Sequence, residues 1–199
     1  PREKRLETYK LWLEQEDRKL RELHLSQSSG KKVVMARSNT IDQLLKHMFD
    51  YDLSAFEAEY GKLPFSIGIL ALGGYGRAEM CPFSDVDIMF LYPEKVREKI
   101  LPKFQTIFTE QILYMLWDLG FKVGHSTRTI KQAMEEAKSD VLSKNAMLES
   151  RLVAGSQSLY NIFEKAYKHF CEKQIQQYIV DRLRDQKNRR IKYGDTVLI

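Results

Sequence analysis

Apolar residues recur at helical spacing through most of this chain and change to unbroken runs near its middle. From Arg2 to Leu25, Leu6, Tyr9, Leu13, Leu20 and Leu23 share one stripe while Glu, Lys and Arg fill the other face, which predicts an amphipathic helix. Residues 26–30 read as a loop. A second helical region is predicted over 31–60, with a break near 51–53 and with Asn39 or Thr40 capping a new turn. Its Leu44, Leu45, Met48 and Phe49 point to a core, and Gly61 and Pro64 end it. Residues 66–72 are almost wholly apolar, as in a central strand covered on both faces. A loop over 73–84 leads into a second strand over 87–92, which Pro93 ends. Residues 94–119 are predicted helical, with a kink at Pro102 and Gly120 as the C-terminal cap. Phe104, Ile107, Phe108, Ile112, Met115 and Leu116 form the buried side of that helix. A third strand is expected over 121–129, loosened by Gly124. Helices follow over 129–138, 140–152 (capped by Ser139), 156–172 and 174–193.

The two apolar runs in the middle frame the chemistry. Gly73-Gly74 closes the first run, ten residues intervene, and Asp85-Val86-Asp87 opens the second. A strand turns alternate side chains to opposite faces, so Asp85 and Asp87 point the same way. Two carboxylates that close repel each other, and the usual compensation is a hard divalent cation such as Mg²⁺, which accepts one or two carboxylates plus substrate phosphates. Gly73 and Gly74 let the backbone approach a ligand, and the amides of such a turn suit a phosphate. Metal and polyphosphate in one site is the equipment of nucleotidyl transfer.

This arrangement, G-G, a spacer and then D-h-D-h with h apolar, resembles the signature of the polymerase-β-like nucleotidyltransferase superfamily. The longer string G-G-Y-G-R-x-E-x-x-P-x-S-D-h-D is narrower. It is similar to the N-terminal catalytic domain of the uridylyltransferase that modifies the nitrogen-regulatory protein PII, and to its DUF294-like relatives. Leu116-Trp117-Asp118, the run from Val123 to Thr129, the run from Leu148 to Leu152, and Tyr193-Gly194-Asp195-Thr196 continue the likeness in the same order. Coverage runs from about Ile67 to the end. The resemblance implies an α/β (α+β) fold: a small mixed sheet of the nucleotidyltransferase type flanked by N-terminal and C-terminal helices. The expected division is a helical extension over 1–60, a nucleotidyltransferase core over 61–152 and a C-terminal helical region over 153–199.

By the same resemblance the reaction is Mg²⁺-dependent transfer of UMP from UTP to a tyrosine hydroxyl of a PII-type protein, with release of pyrophosphate. A phenol of pKa about 10 is easier to deprotonate beside Mg²⁺ than an alkyl alcohol. Asp85 and Asp87 are the expected metal ligands, and a pair of Mg²⁺ ions there neutralises triphosphate charge and stabilises the leaving group. Gly73 and Gly74 are expected on the triphosphate. Ser84 either donates to a phosphate or caps the turn before the strand. Arg77 either reaches phosphate oxygens or pairs with Glu79 or an active-site aspartate, the structural role being favoured. Tyr75 either stacks on a base or, by preference, packs. The superfamily's third carboxylate has no counterpart on the third strand, which carries Gly124-His125-Ser126 instead, as the PII-modifying branch does. His125 is therefore the candidate general base or a structural histidine, with Glu149 and Asp140 as weaker candidates. Two other readings stay open: the same chemistry on another acceptor (another protein, a small molecule or RNA), and a regulatory module that binds nucleotide without turnover.

Composition narrows the setting. The chain has 199 residues, 43% of them hydrophobic and 30% charged, which fits one domain or one domain with an extension. No apolar run approaches the roughly 20 residues that span a bilayer, and no secretory pattern opens the chain. Cys81 and Cys171 lie far apart with no metal-type spacing, as expected of free thiols in a cytoplasmic protein. A net charge of +5 suits a polyphosphate ligand without specifying one. The basic cluster Arg182, Arg184, Lys187, Arg189, Arg190 and Lys192 either meets the triphosphate or forms a solvated face. It carries no interleaved aromatic platform, which disfavours single-stranded nucleic acid. A start on Pro1 and an apolar end at 196–199 are expected of boundaries within a longer protein. In the resembled enzymes an E-P-x-[IV]-K…G-G-L-R-D segment, an HD domain and ACT domains follow.

Overall fold

The computed structural model describes residues 2–96 and 101–194. Parts of the sequence reading lie outside those residues: the stretch 97–100 of the central helix, the Ile107 side chain and the apolar end at 196–199.

The chain opens with two long helices, α1 (Arg2–Leu25) and α2 (Gly30–Tyr60). Helix α1 rests on the core through half-buried Leu6, Tyr9, Trp12 and Leu13. Helix α2 runs without the break expected near residues 51–53, and Asn39 and Thr40 lie inside it. Asp52, the residue that reads as a helix interruption, is buried and accepts from the Arg5 guanidinium of α1 at 2.5 Å. That pairing compensates the buried charge, although loss of water still raises the Asp52 carboxyl above its ordinary value.

Four strands form one mixed sheet in the order β3-β2-β1-β4. They are β1 (Gly68–Ala71), β2 (Val86–Tyr92), β3 (Val123–Thr129) and β4 (Arg151–Gly155). Strand β1 is antiparallel to both of its neighbours, and β2 runs parallel to β3. The short helix α3 (Gly73–Gly76) follows β1. Within the stretch from β2 to β3, α4 (Leu101–Phe104) passes through a π turn (Gln105–Thr109) into α5 (Glu110–Asp118). Of the helix predicted over 94–119, the described residues 94–96 are not helical, and within 101–118 the departure from α geometry is that π turn, just beyond Pro102 rather than at it.

After β3 come α6 (Ile130–Ser139) and α7 (Val141–Leu148). Helix α7 does not continue to residue 152 as its sequence predicts. Asp140 rather than Ser139 caps it, accepting from the N–H groups of Leu142 and Ser143 at 3.1 and 2.8 Å, and the helix stops at Leu148. The next residues become β4 by pairing with β1. Two further helices, α8 (Gln157–Lys173) and α9 (Ile175–Tyr193), complete the described part of the chain.

Both faces of β1, and of β2 beyond the exposed Asp87, are covered, which is why these stretches are apolar. On one face Ile69, Ala71, Ile88 and Phe90 meet Leu44, Leu45, Met48 and Phe49 of α2, together with Phe104, Phe108 and Ile112. Phe49 and Phe108 meet edge-on at 5.1 Å between ring centroids, and Phe108 stacks on Phe104 at 4.7 Å. On the other face Leu70, Leu72, Met89 and Leu91 meet Ala133 and Ala137 of α6 and Leu159, Phe163 and Tyr167 of α8.

Candidate active site

Antiparallel pairing sets the end of β1 beside the start of β2. Ala71 is opposite Ile88, and the Leu72 N–H donates to the Asp87 carbonyl at 2.9 Å. The glycine turn therefore begins next to the two aspartates that the sequence separates from it. Gly73 adopts φ +54°, a left-handed conformation that glycine enters without penalty. The turn then closes on itself: the Gly76 N–H donates to the Leu72 carbonyl at 2.9 Å and the Arg77 N–H to the Gly73 carbonyl at 3.0 Å.

Asp85 and Asp87 flank buried Val86 and are both solvent-facing. Asp87 nevertheless loses water against the sheet, and this loss, with the neighbouring Asp85 charge, raises its carboxyl above the ordinary value. Its parallel partner on β3 is Gly124, and a Cβ there would lie 2.1 Å from the Asp87 Oδ1. The missing side chain of Gly124 is the space in which this carboxylate sits. Two mutually repelling carboxylates at the start of one strand fit a hard divalent cation. Among the described residues no group of three or more His, Cys, Asp or Glu side chains stands ready for a metal. A two-carboxylate donor set leaves coordination positions for phosphate and water oxygens, as Mg²⁺ prefers.

The structure does not bring His125 to these aspartates. His125 pairs with Ile88, one position from Asp87, and so faces the opposite side of the sheet. There it meets the Trp117 ring edge-on at 5.8 Å between centroids. Glu149 and Asp140 are also committed elsewhere. Glu149 binds Arg77, while the Ser143 hydroxyl and nearby backbone N–H groups hold the Asp140 carboxyl below its ordinary value.

The residues with two readings make scaffolding contacts in this structure. Arg77 donates to Glu79 at 3.1 Å and to Glu149 across the turn. The Ser84 hydroxyl donates to the Cys81 carbonyl at 2.9 Å and closes the turn before β2. Tyr75 is 2% exposed, and its hydroxyl donates to Asp42 at 2.8 Å. Burial first, and then the Asp42 charge, push that phenol well above its ordinary value. Within the C-terminal basic cluster, Arg182 and Arg189 both pair with Asp185, at 2.9 and 3.2 Å.

Sequence reasoning missed the partners that hold the turn. Arg151 of β4 grips Asp42 of α2 with two nitrogens, at 2.7 and 3.0 Å. It also donates to the Gly76 carbonyl at 3.2 Å and to the Tyr75 carbonyl at 3.3 Å. The Ser38 hydroxyl accepts from the Met80 N–H at 3.0 Å where the loop leaves. Arg151 stands inside the resemblance, in L-E-S-R-L; nothing local in α2 marks Ser38 or Asp42.

Mixed sheet, glycine turn and paired aspartates define a polymerase-β-like nucleotidyltransferase domain. No protein-family model matches the chain. Among curated proteins it is 36% identical over 174 residues to the bifunctional uridylyltransferase/uridylyl-removing enzyme of Erythrobacter litoralis, a match covering 85% of this chain and 18% of that protein. The enzyme of the same name from Novosphingobium aromaticivorans is 34% identical over 184 residues, 88% of this chain and 19% of its own. That from Cereibacter sphaeroides is 48% identical over 89 residues, 45% of this chain and 9% of its own. The chain belongs to the family of these enzymes as a nucleotidyltransferase domain, and it spans about a fifth of the length of the first two relatives.

Proposed function

We propose that this domain catalyses Mg²⁺-dependent transfer of UMP from UTP to a tyrosine hydroxyl of a PII-type protein, releasing pyrophosphate. The observation that carries the reading is the β1–β2 register, which sets Gly73-Gly74 against Asp85-Val86-Asp87 through the 2.9 Å bond from Leu72 to Asp87. The names of the relatives support uridylyl transfer as the chemistry. Asp85 and Asp87 hold the metal, which when bound neutralises phosphate charge and acidifies the attacking hydroxyl. Gly73 and Gly74 accommodate the triphosphate, with Ser84 shaping the turn that delivers Asp85. Arg77 keeps the turn in place through its two carboxylate partners rather than by touching substrate. Among the described residues no helix is long and apolar enough to cross a membrane. A cytoplasmic setting, where UTP is at hand, accords with this reading.

The test is calorimetric titration of UTP, ATP, CTP and GTP into the chain, with and without Mg²⁺, beside the Asp85→Asn/Asp87→Asn double variant. Mg²⁺-dependent binding of UTP above the other three, lost in the double variant, is the expected result. Labelled UTP then follows transfer to a PII-type protein, and transfer to other acceptors alone would refute that partner. A second reading, nucleotide binding without turnover, draws on Gly124: β3 sets a glycine where a third carboxylate would stand beside Asp87. Tight Mg²⁺-dependent binding with no transfer to any acceptor would favour it.

A further inference from the structure

We infer that Arg151 and Asp42 are positioning residues for the nucleotide, acting by fixing where the glycine turn stands relative to Asp85 and Asp87. The inference rests on the function proposed above.

The turn has little of its own to hold it. Helix α3 is four residues long, and three of those are glycine. Its placement comes from outside. The Arg151 guanidinium spreads its N–H donors over four acceptors: both Asp42 oxygens and the carbonyls of Tyr75 and Gly76. Asp42 completes the ring by accepting from the Tyr75 hydroxyl at 2.8 Å. Two elements distant in sequence, α2 and β4, thus meet beneath the turn: Arg151 of β4 holds its backbone directly, and Asp42 of α2 holds Arg151 and the Tyr75 hydroxyl. The C-cap of α7, two residues before β4, also walls it in, because a Cβ on Gly76 would lie 1.9 Å from the Glu149 carbonyl oxygen.

The charges in this ring are partly sheltered, with the Arg151 and Asp42 side chains 32% and 14% exposed. Four directed bonds from one planar fork define a position, which a point charge does not. The L-E-S-R-L stretch thereby supports the site twice, since Glu149 ties Arg77 and Arg151 ties the turn itself. Displacing a binding element by about 1 Å is enough to cost up to 100-fold in a site that relies on alignment.

The experiment compares the wild-type chain with Arg151→Lys, Asp42→Asn and Ile112→Ala, the last a buried variant on α5 with no part in the Arg151–Asp42 ring, which serves as a stability control. Thermal midpoints without nucleotide and Mg²⁺-UTP dissociation constants are measured for all four, with KM and kcat where transfer is followed. The expected result is a loss of about tenfold or more in affinity for Arg151→Lys and Asp42→Asn, with KM rising more than kcat falls, while Ile112→Ala binds as wild type despite a lowered midpoint. Retained affinity in Arg151→Lys overturns the inference, because charge alone then suffices. An equal loss in all three variants also overturns it, because the pair then acts only through stability. A wild-type chain that binds no nucleotide overturns the proposed function itself, an outcome distinct from either of those.

Discussion

Replacing Gly124 by alanine separates the carboxylate site from the fold, and the structure allows the consequences to be worked out. The added Cβ lies 2.1 Å from the Asp87 Oδ1 and 3.3 Å from its Cγ, while the Asp87 Cα, the third-nearest atom, is at an ordinary 3.9 Å. A comfortable contact needs about 3.5 Å, so the carboxylate oxygen must retreat by roughly 1–1.5 Å. It is free to do so, since it is the end of a side chain facing solvent. Holding Asp87 off its preferred rotamer costs about 0.5–1.5 kcal/mol. Alanine in place of a strand glycine recovers about 0.5–1 kcal/mol of backbone entropy. The two offset each other, and the stability of Gly124→Ala in urea is expected within about 1 kcal/mol of wild type. Metal binding has no such compensation: a ligand oxygen moved by about 1 Å is expected to weaken Mg²⁺-UTP binding by about 10–100-fold. Calorimetric titration reads the second effect and urea unfolding the first. Unchanged Mg²⁺-UTP affinity would refute the assignment of Asp87 to the metal. A loss of more than about 3 kcal/mol of stability would refute the claim that only a side chain has to yield.

Gly76→Ala is the contrasting glycine: its Cβ falls 1.9 Å from the Glu149 carbonyl oxygen and 3.0 Å from that of Ala71. Backbone must move, so a loss of about 1–3 kcal/mol is expected in urea unfolding together with lost nucleotide binding. For Asp87→Asn the sign follows from a folded-state carboxyl raised above its ordinary value of 3.8: the charged form costs stability, a cost absent at low pH and present once pH rises through the folded value. The variant is therefore expected to be more stable than wild type at pH 7, with the gap closing as pH falls through the carboxylate range, and pH-dependent thermal melts check it. Added Mg²⁺ is expected to raise the wild-type melting temperature and leave that of Asp85→Asn/Asp87→Asn unchanged. His125→Asn is expected to leave the pH profile of transfer unaltered, since the imidazole lies against Trp117 on the other side of the sheet.

What the sequence made legible was local. The glycine pair, the aspartate pair and the two apolar strands each declare themselves within a few residues, and together they point to the polymerase-β-like sheet. The errors arise where distant residues decide. Asp52 reads as a helix break until Arg5, from another helix, neutralises it. The five residues of β4 follow a helix without alternation, and only pairing with β1 makes them a strand. His125 reads as a candidate base because it stands on the strand where the superfamily carries a third carboxylate, beside Gly124 in the sequence. The parallel register turns that adjacency into separation, because neighbours along a strand face opposite ways. Gly124 itself reads as a weak point in a strand, whereas its role is to leave room for a carboxylate on the neighbouring one.

The two halves of the site answer to different physics, and this bears on how a nucleotidyltransferase domain of this kind tolerates change. Asp87 loses water and stands beside the Asp85 charge, so the protein carries its carboxylate at a cost that a cation bound there would offset. Changes there are expected to spare or raise stability while abolishing binding. The glycine turn is the reverse case. It is held by Asp42, Tyr75 and Arg151 and walled by the Glu149 carbonyl, so disturbing it draws on helix α2 and strand β4 at once. Helix α2 carries no recognisable motif, yet it supplies Ser38 and Asp42 to the loop and Leu44, Leu45, Met48 and Phe49 to the core. Removing residues 1–60 is therefore expected to cost the active-site turn its support as well as one face of the sheet, rather than to trim an accessory.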